Sequence, residues 1–230
     1  MLEVKRSLSG LVAYGALLTA LVCWSIAFFT PFWLESDFRM YGSQFKRLGL
    51  WVNCFNSLPD PNDFERHIFF VGCRWVFDPF TAGYPEIRGY LLSAFFVATQ
   101  IFASFAFTLI LVAFVLMGKL ILCWSIKSEV RTLKLISYVL LASAFFGFLA
   151  ITIFGAKGNS DPDWMPNPQH NYFSWSYGLA VVATFAEIVA AVLFAADAHV
   201  RGKKIRRMPS YQVENGREEA TAFNEPAAQR

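Results

Sequence analysis

The chain has 230 residues, of which 56% are apolar, 17% aromatic and only 16% charged, with a net charge of +3. Soluble globular chains average about 25% charged and about 45–50% apolar residues. The composition excludes a disordered chain, a collagen-like fibre and a disulfide-dense secreted module, and a mean hydropathy of +0.42 argues against an ordinary soluble domain. Four stretches hold most of the apolar residues. Leu8–Trp33 runs 26 residues without Asp, Glu, Lys or Arg. Tyr90–Gly118 runs 29 and Leu135–Gly155 runs 21. Phe173–Ala196 runs 24 with one charge, Glu187. A bilayer core about 30 Å thick needs about 20 apolar residues in helical form. All four stretches are long enough, and none keeps the polar face of a soluble core helix. The sequence predicts four transmembrane helices over residues 8–33, 90–118, 135–155 and 173–196. The first has the short basic flank of a signal peptide, but its apolar run is too long and no small-x-small cleavage site follows it. It reads as an uncleaved anchor.

Lys and Arg set the expected orientation. With the N-terminus inside, the inner segments carry 13 of them and the outer segments 7. Both termini are therefore expected in the cytoplasm, and the positive net charge reads as an inner flank rather than a nucleic-acid partner. The chain then has a long outer loop over residues 34–89, a short inner loop over 119–134, a short outer loop over 156–172 and a polar inner tail. The four-span domain is expected to cover residues 1–200, with residues 201–230 a disordered cytoplasmic tail.

The long outer loop is rich in aromatics. Leu50–Phe55 and Ile68–Phe77 read as strands from their Val, Ile, Phe and Trp content, joined through a Pro- and Asp-rich turn at Ser57–Asp63. Two strands alone are marginal in water, and Leu34–Leu48 offers another. Cys54 and Cys73 lie in these two strands, in an oxidising compartment. A disulfide between them would close a loop of 18 intervening residues, worth about 3 kcal/mol; the alternative is a pair of free buried thiols. Cys23 reads as packing within the first span. Cys123, at the inner end of the second, is a candidate for S-palmitoylation or a plain interfacial cysteine.

Glu187 is the acidic residue deep in a span. A carboxylate in hydrocarbon costs about 2.5–3.5 kcal/mol or more, so it should face the bundle. Ala183, Thr184, Ala190 and Ala191 flank it and permit close helix approach. Thr19, Ser104 and Ser143 lie at similar depth as candidate partners. Structural glue is the first reading, and a proton relay or conduction path the second. Arg201, Lys203, Lys204, Arg206 and Arg207 read as a stop-transfer flank or as an anionic-lipid patch. Trp164 and Met165 in the short outer loop could meet a facing membrane's protein or pack on the chain's own sheet. His67, His170 and His199 lack metal-like spacing, and there is no phosphate loop or nucleophile elbow. Neither an enzymatic activity nor a cofactor is expected.

Trp33, then Gly49-Leu50-Trp51, then Cys54 and Cys73, just after the first of four spans, resembles the W-GLW-C-C signature of the claudin and peripheral-myelin-protein superfamily. Arg88, before the second span, is similar to that family's Arg at the same place. The resemblance covers residues 1–200. It implies a mainly α membrane protein, a left-handed four-helix bundle carrying a small extracellular antiparallel β-sheet. In the family the GLW segment packs the sheet against the membrane surface and the disulfide locks neighbouring strands. Trp33 and Trp51 also suit a membrane interface as amphipathic aromatics. The cysteines are farther apart than in most vertebrate claudins, which is similar to the septate-junction proteins of insects. The chain ends Glu225–Arg230, without the hydrophobic C-terminus that a PDZ groove takes, so scaffold binding by that route is not expected. The implied function is a structural component of tight or septate cell–cell junctions in the plasma membrane. It would assemble with itself or related claudin-like proteins, in cis and in trans, and with other junction proteins. Superfamily relatives also include auxiliary subunits of channels or receptors and myelin-type adhesion proteins, which remain the alternatives.

Overall fold

The computed structural model describes residues 8–37, 44–59, 67, 69–77, 91–122, 126–160, 164–165 and 168–207. Arg88, Cys123, most of the Ser57–Asp63 turn and the tail beyond Arg207 lie outside these, as do the side chains of Arg206 and Arg207.

Four long helices carry the apolar stretches: α1 Leu8–Phe29, α2 Ala94–Leu122, α3 Ile126–Lys157 and α4 Trp175–Arg207. All four are long and apolar enough to cross a membrane. The helices differ from the predicted spans at their ends. α3 starts well before Leu135, and α4 continues past Ala196 into charged sequence. Hydropathy marks bilayer thickness, whereas a helix can keep its hydrogen bonds beyond the hydrocarbon.

Both faces of these helices are apolar, so side-chain size separates inside from outside. Ala13, Leu17, Ala20, Trp24 and Ala27 are all buried along α1. Their alternating spacing of four and three residues is the repeat of about 3.5 that suits a left-handed supercoil. Ala103, Ala106, Ile110, Ala113 and Met117 repeat it on α2, and Ala180, Ala183, Glu187, Ala190 or Ala191, and Phe194 on α4. Phe105, Val115, Phe145, Phe185 and Val192 point outward and are exposed, as lipid-facing residues should be. α2 packs on α3, α3 on α4 and α4 on α1; a less extensive α1–α2 contact closes the ring. There Phe28 stacks on Phe107 with centroids 4.5 Å apart.

A five-stranded antiparallel sheet caps one end. Its strands are β1 Leu34–Ser36, β2 Phe45–Leu48, β3 Val52–Pro59, β4 Phe69–Trp75 and β5 Asn171–Phe173. The order is β4-β3-β2-β1-β5. β3 and β4 are the predicted hairpin, shifted by a few residues. Leu34–Leu48 supplies two strands, and the fifth comes from the short loop, as the resemblance implies. Between the pairs Phe55–Gly72 and Leu58–Phe70 the register shifts. Gly72 takes a positive φ of 92° at this irregularity, a conformation that L side chains resist.

At the opposite end, Arg201 joins two helices. Its guanidinium pairs with Asp197 on α4 at 2.9 Å and with Glu129 on α3. Asp197 is buried and lies against Gly10 of α1, where a Cβ would come 3.3 Å from Asp197 Oδ2.

The sheet meets the bundle at Gly49. A Cβ there would lie 2.5 Å from Pro31 Cα and 2.6 Å from the Thr30 carbonyl oxygen. Both are backbone atoms that cannot swing aside. Gly49→Ala should therefore cost about 1–3 kcal/mol, read as a lower thermal midpoint of the purified protein. Gly15→Ala, with open space at its Cβ, should leave the midpoint unchanged or raise it. Equal midpoints for the two variants would rule out the tight contact.

Candidate functional site

The sheet and the seam that fixes it gather most of the residues singled out in the sequence. The chain leaves α1 through Phe32 and Trp33, which bond to both sides. The Trp33 N–H donates to the Leu48 carbonyl at 2.8 Å. The Ser174 and Ser176 N–H groups donate to the Trp33 and Phe32 carbonyls, each at 3.1 Å. Residues 32 and 33 thus tie α1, the β2 end and the start of α4 into one unit.

Trp33 itself is completely buried. Its indole Nε1 donates to the Ala27 carbonyl at 2.7 Å, and its ring packs edge-on against Phe154 and Tyr177. It sits in the protein interior between sheet and helices rather than facing lipid. The turn out of α1 and the fourth helix meet again where Thr30 and Ser176 share a hydroxyl contact of 2.5 Å. Leu50 is also buried, and its carbonyl accepts from Gln100 Nε2 on α2 at 2.6 Å. Trp51 is half-buried, tilted against Phe28 with centroids 5.2 Å apart. Gly49, Leu50 and Trp51 therefore hold the sheet onto the ends of α1 and α2.

Gln100 did not emerge from the sequence reading, which followed charge. An uncharged amide in a 29-residue apolar run was the available signal, since buried polar groups are bonded as a rule. Phe154 was likewise missed. It lies at the centre of the seam, with Trp33, Phe96, Trp164, Phe173 and Tyr177 around it. One more Phe among 25 carries no sequence signal.

Cys54 and Cys73 stand directly opposite each other in the β3–β4 ladder and are joined by a disulfide, with Cα atoms 4.0 Å apart. Cys54 is buried and Cys73 exposed. Arg47 on β2 reaches across, its Nε 3.5 Å from Cys54 Sγ and its guanidinium 4.6 Å above the Phe32 ring. This places one cation over an aromatic face and braces the disulfide from the neighbouring strand. β4 is one edge of the sheet and β5 the other, and Phe69, Val71 and Trp75 on β4 are 50%, 60% and 54% exposed.

Trp164 and Met165 are buried, not displayed at a loop tip. Trp164 Nε1 donates to the Leu91 carbonyl at 3.3 Å, and its ring packs on Phe95 and Phe96. The reason is the aromatic cup formed by the ends of α2 and α3, which takes the indole out of water.

Glu187 is buried inside the bundle, as its flanking small residues imply. Ser143 and Trp24 are its polar neighbours. Ser143 Oγ donates instead to the Ala106 carbonyl at 2.8 Å. Neither Glu187 oxygen nor Trp24 Nε1 makes a hydrogen bond of good geometry to a described residue. Thr19 and Ser104 turn away and bond the Gly15 and Gln100 carbonyls of their own helices, as hydroxyls in apolar helices commonly do. The pocket is tight: a Cβ on Gly147 would come 2.9 Å from Thr184 Oγ1 and 3.0 Å from Trp24 Cζ2.

Four membrane-spanning helices and a disulfide-pinned sheet drawn from both loops at one end define a multi-pass membrane protein of the tetraspan class. The chain belongs to the PMP-22/EMP/MP20/Claudin tight junction family, whose pattern matches residues 18–196. No curated protein shows significant similarity to it.

Two measurements test the geometry. Cys54→Ser should lower the thermal midpoint by roughly 6–12 °C, from about 3 kcal/mol at about 2–4 °C per kcal/mol in a chain of this size. An unchanged midpoint would mean that the cross-link contributes nothing to the sheet. The groups around Glu187 are neutral, so Glu187→Gln, which keeps the shape without the charge, should leave cell-surface abundance and activity within about twofold of wild type, a shift of less than 1 kcal/mol. Lost function at normal surface abundance would instead assign the carboxyl a proton-handling role.

Proposed function

We propose that this protein is a structural, non-enzymatic component of tight or septate cell–cell junctions, forming or regulating the paracellular barrier in the plasma membrane. Family membership supports this reading. The observation that carries it is the β4 edge. Edge strands that avoid partners are short, charged or covered, whereas β4 presents Phe69, Val71 and Trp75 on a strand held rigidly by a disulfide and an aromatic seam. Such a surface suits a second protein of similar kind. The partners on this reading are copies of this chain or related family members, in the same membrane and from the facing cell.

Both termini lie in the cytoplasm on this reading. The Lys and Arg asymmetry supports that placement, and a disulfide in the sheet suits the oxidising outer side. Trp33, Gly49, Leu50 and Trp51 act as the mount for the sheet rather than as partner contacts, because three of the four are buried.

Depletion of the protein from a polarised epithelium should raise permeability to a fluorescent tracer several-fold, with the protein concentrated at lateral contacts. Re-expression of Val71→Lys should reach the surface normally yet fail to restore the barrier, because a charge on the edge disfavours strand-to-partner contact. An intact barrier after depletion would defeat the junction reading and favour an auxiliary-subunit role.

A further inference from the structure

At the end of the bundle opposite the sheet, α3 and α4 leave an open groove of about 350 Å³ between them. Its chemistry changes along its length. Lys203 and His199 line the part near the helix ends, Lys134 and Ala195 the middle, and Tyr138 and then Leu141 lie deeper toward the bilayer centre. The register between the helices follows from two contacts: Ser137 Oγ donates to the Ala191 carbonyl at 2.8 Å, and Arg201 pairs with Glu129. The helices run antiparallel, so Lys134 lies beside Ala195. Lys203 sits eight residues further along α4, roughly 12 Å nearer the helix end at about 1.5 Å per residue.

The usual tilt of helical Cα–Cβ bonds directs the two lysines toward each other. Side chains tilt toward the N-terminus of their own helix. For α3 that direction is outward to the helix ends, and for α4 it is inward to the bilayer. The two long stems therefore converge from opposite directions on one level at the boundary between polar and apolar zones. Both Lys residues are exposed, as are His199 and Tyr138. The nearby acids are already engaged, since Asp197 and Glu129 both pair with Arg201. The groove exists because its α4 wall is built from Ala195, Ala198 and Gly202, which leave the space that larger side chains would fill.

We propose that this groove is a binding site for one anionic phospholipid of the adjacent leaflet. Its phosphate sits between Lys134 and Lys203. The Tyr138 phenol lies at the level of the glycerol esters, where interfacial tyrosines reside. An acyl chain runs over Leu141 and Ala195. The phosphate is recognised by charge and the chain by the apolar floor, so a soluble phosphate without the chain does not satisfy the site. Basic pockets between membrane helices hold such headgroups in general. The site is independent of the junction role and stands or falls separately from it.

The test uses the full-length protein in detergent with equal phosphatidylserine and phosphatidylcholine added, followed by native mass spectrometry. One phosphatidylserine per chain should be retained in preference to phosphatidylcholine. Lys134→Gln and Lys203→Gln should each weaken retention about fivefold, and the double variant about 30-fold. Ala195→Phe, which fills the groove without changing charge, should also abolish it. Lys119→Gln, on α2 outside the groove, should not affect it. The inference is overturned if phosphatidylcholine is held equally, if Lys119→Gln weakens retention as much as the groove variants, or if Ala195→Phe has no effect. It is also overturned if water-soluble glycerophosphoserine displaces the lipid. Because the substituted lysines and Ala195 are exposed on the helices, unchanged thermal midpoints of the variants would show that the fold is kept.

Discussion

The organisation of this protein depends on the contact between the Gly49 backbone and the turn out of α1. With a Cβ excluded by Pro31 and Thr30, the chain can pass close enough for Leu50 to be buried and for its carbonyl to meet Gln100. That approach seats the start of β3 on α1 and α2 together. Trp33, bonded to Ala27 and ringed by Phe154 and Tyr177, fills the space beneath. A small sheet is marginal by itself in water. Here one face is taken by the helix ends, so the sheet does not depend on its own few pairs.

The bundle beneath has to be held without help from the hydrophobic effect, because lipid is as apolar as the side chains it would replace. Close packing and interhelical hydrogen bonds do this instead. Small residues recur at the buried positions, and hydroxyls bridge helices at Ser137 to Ala191, Ser143 to Ala106 and Tyr177 to Ile151. Gly155 allows the last of these, since a Cβ there would come 2.6 Å from the Tyr177 hydroxyl. The ends are secured differently. An aromatic seam closes the end under the sheet, and the Arg201 ion pairs close the other. Taking Arg201 away would leave the buried Asp197 without its cation, a loss of about 3–5 kcal/mol for a buried pair.

The number of spans, the hairpin and the cysteine pair were legible because each leaves a one-dimensional trace: a charge-free run, a β-rich segment, two cysteines in one loop between spans. The location of the buried stripes was harder to read. In a soluble helix polarity separates inside from outside, but here hydropathy is high on both faces, and only the spacing of Ala, Gly and Ser distinguishes them. Ala183, Ala190 and Ala191 were found because Glu187 drew attention to their face; the equivalent stripe on α1 has no such marker. Whether Trp164 was displayed or packed inward stayed open because a short polar loop surrounds it in sequence. Its burial depends on Phe95, Phe96 and Phe154, which come from two other helices. The register between Lys134 and Lys203 is also tertiary information, since it follows from how α3 and α4 slide against each other.

These constraints separate the molecule into parts with different tolerance. At the seam, side-chain size is fixed by backbone contact, and at Glu187 by neighbours within 3 Å of a missing Cβ at Gly147. Neither place has freedom to acquire a partner without disturbing the fold. β4 is different. It is pinned along one side by the disulfide and its pairing with β3, while no further strand pairs with its other side among the described residues, and Phe69, Val71 and Trp75 on it are exposed. Because ordering costs are already met by the cross-link and the seam, a partner docking there would lose little conformational entropy on contact. On the proposed junction reading, rigidity in the mount would let a small apolar surface bind more tightly than its area alone would suggest. Side chains exposed on that strand can vary in identity without weakening the mount, so on the proposed junction reading β4 is where partner choice would be written.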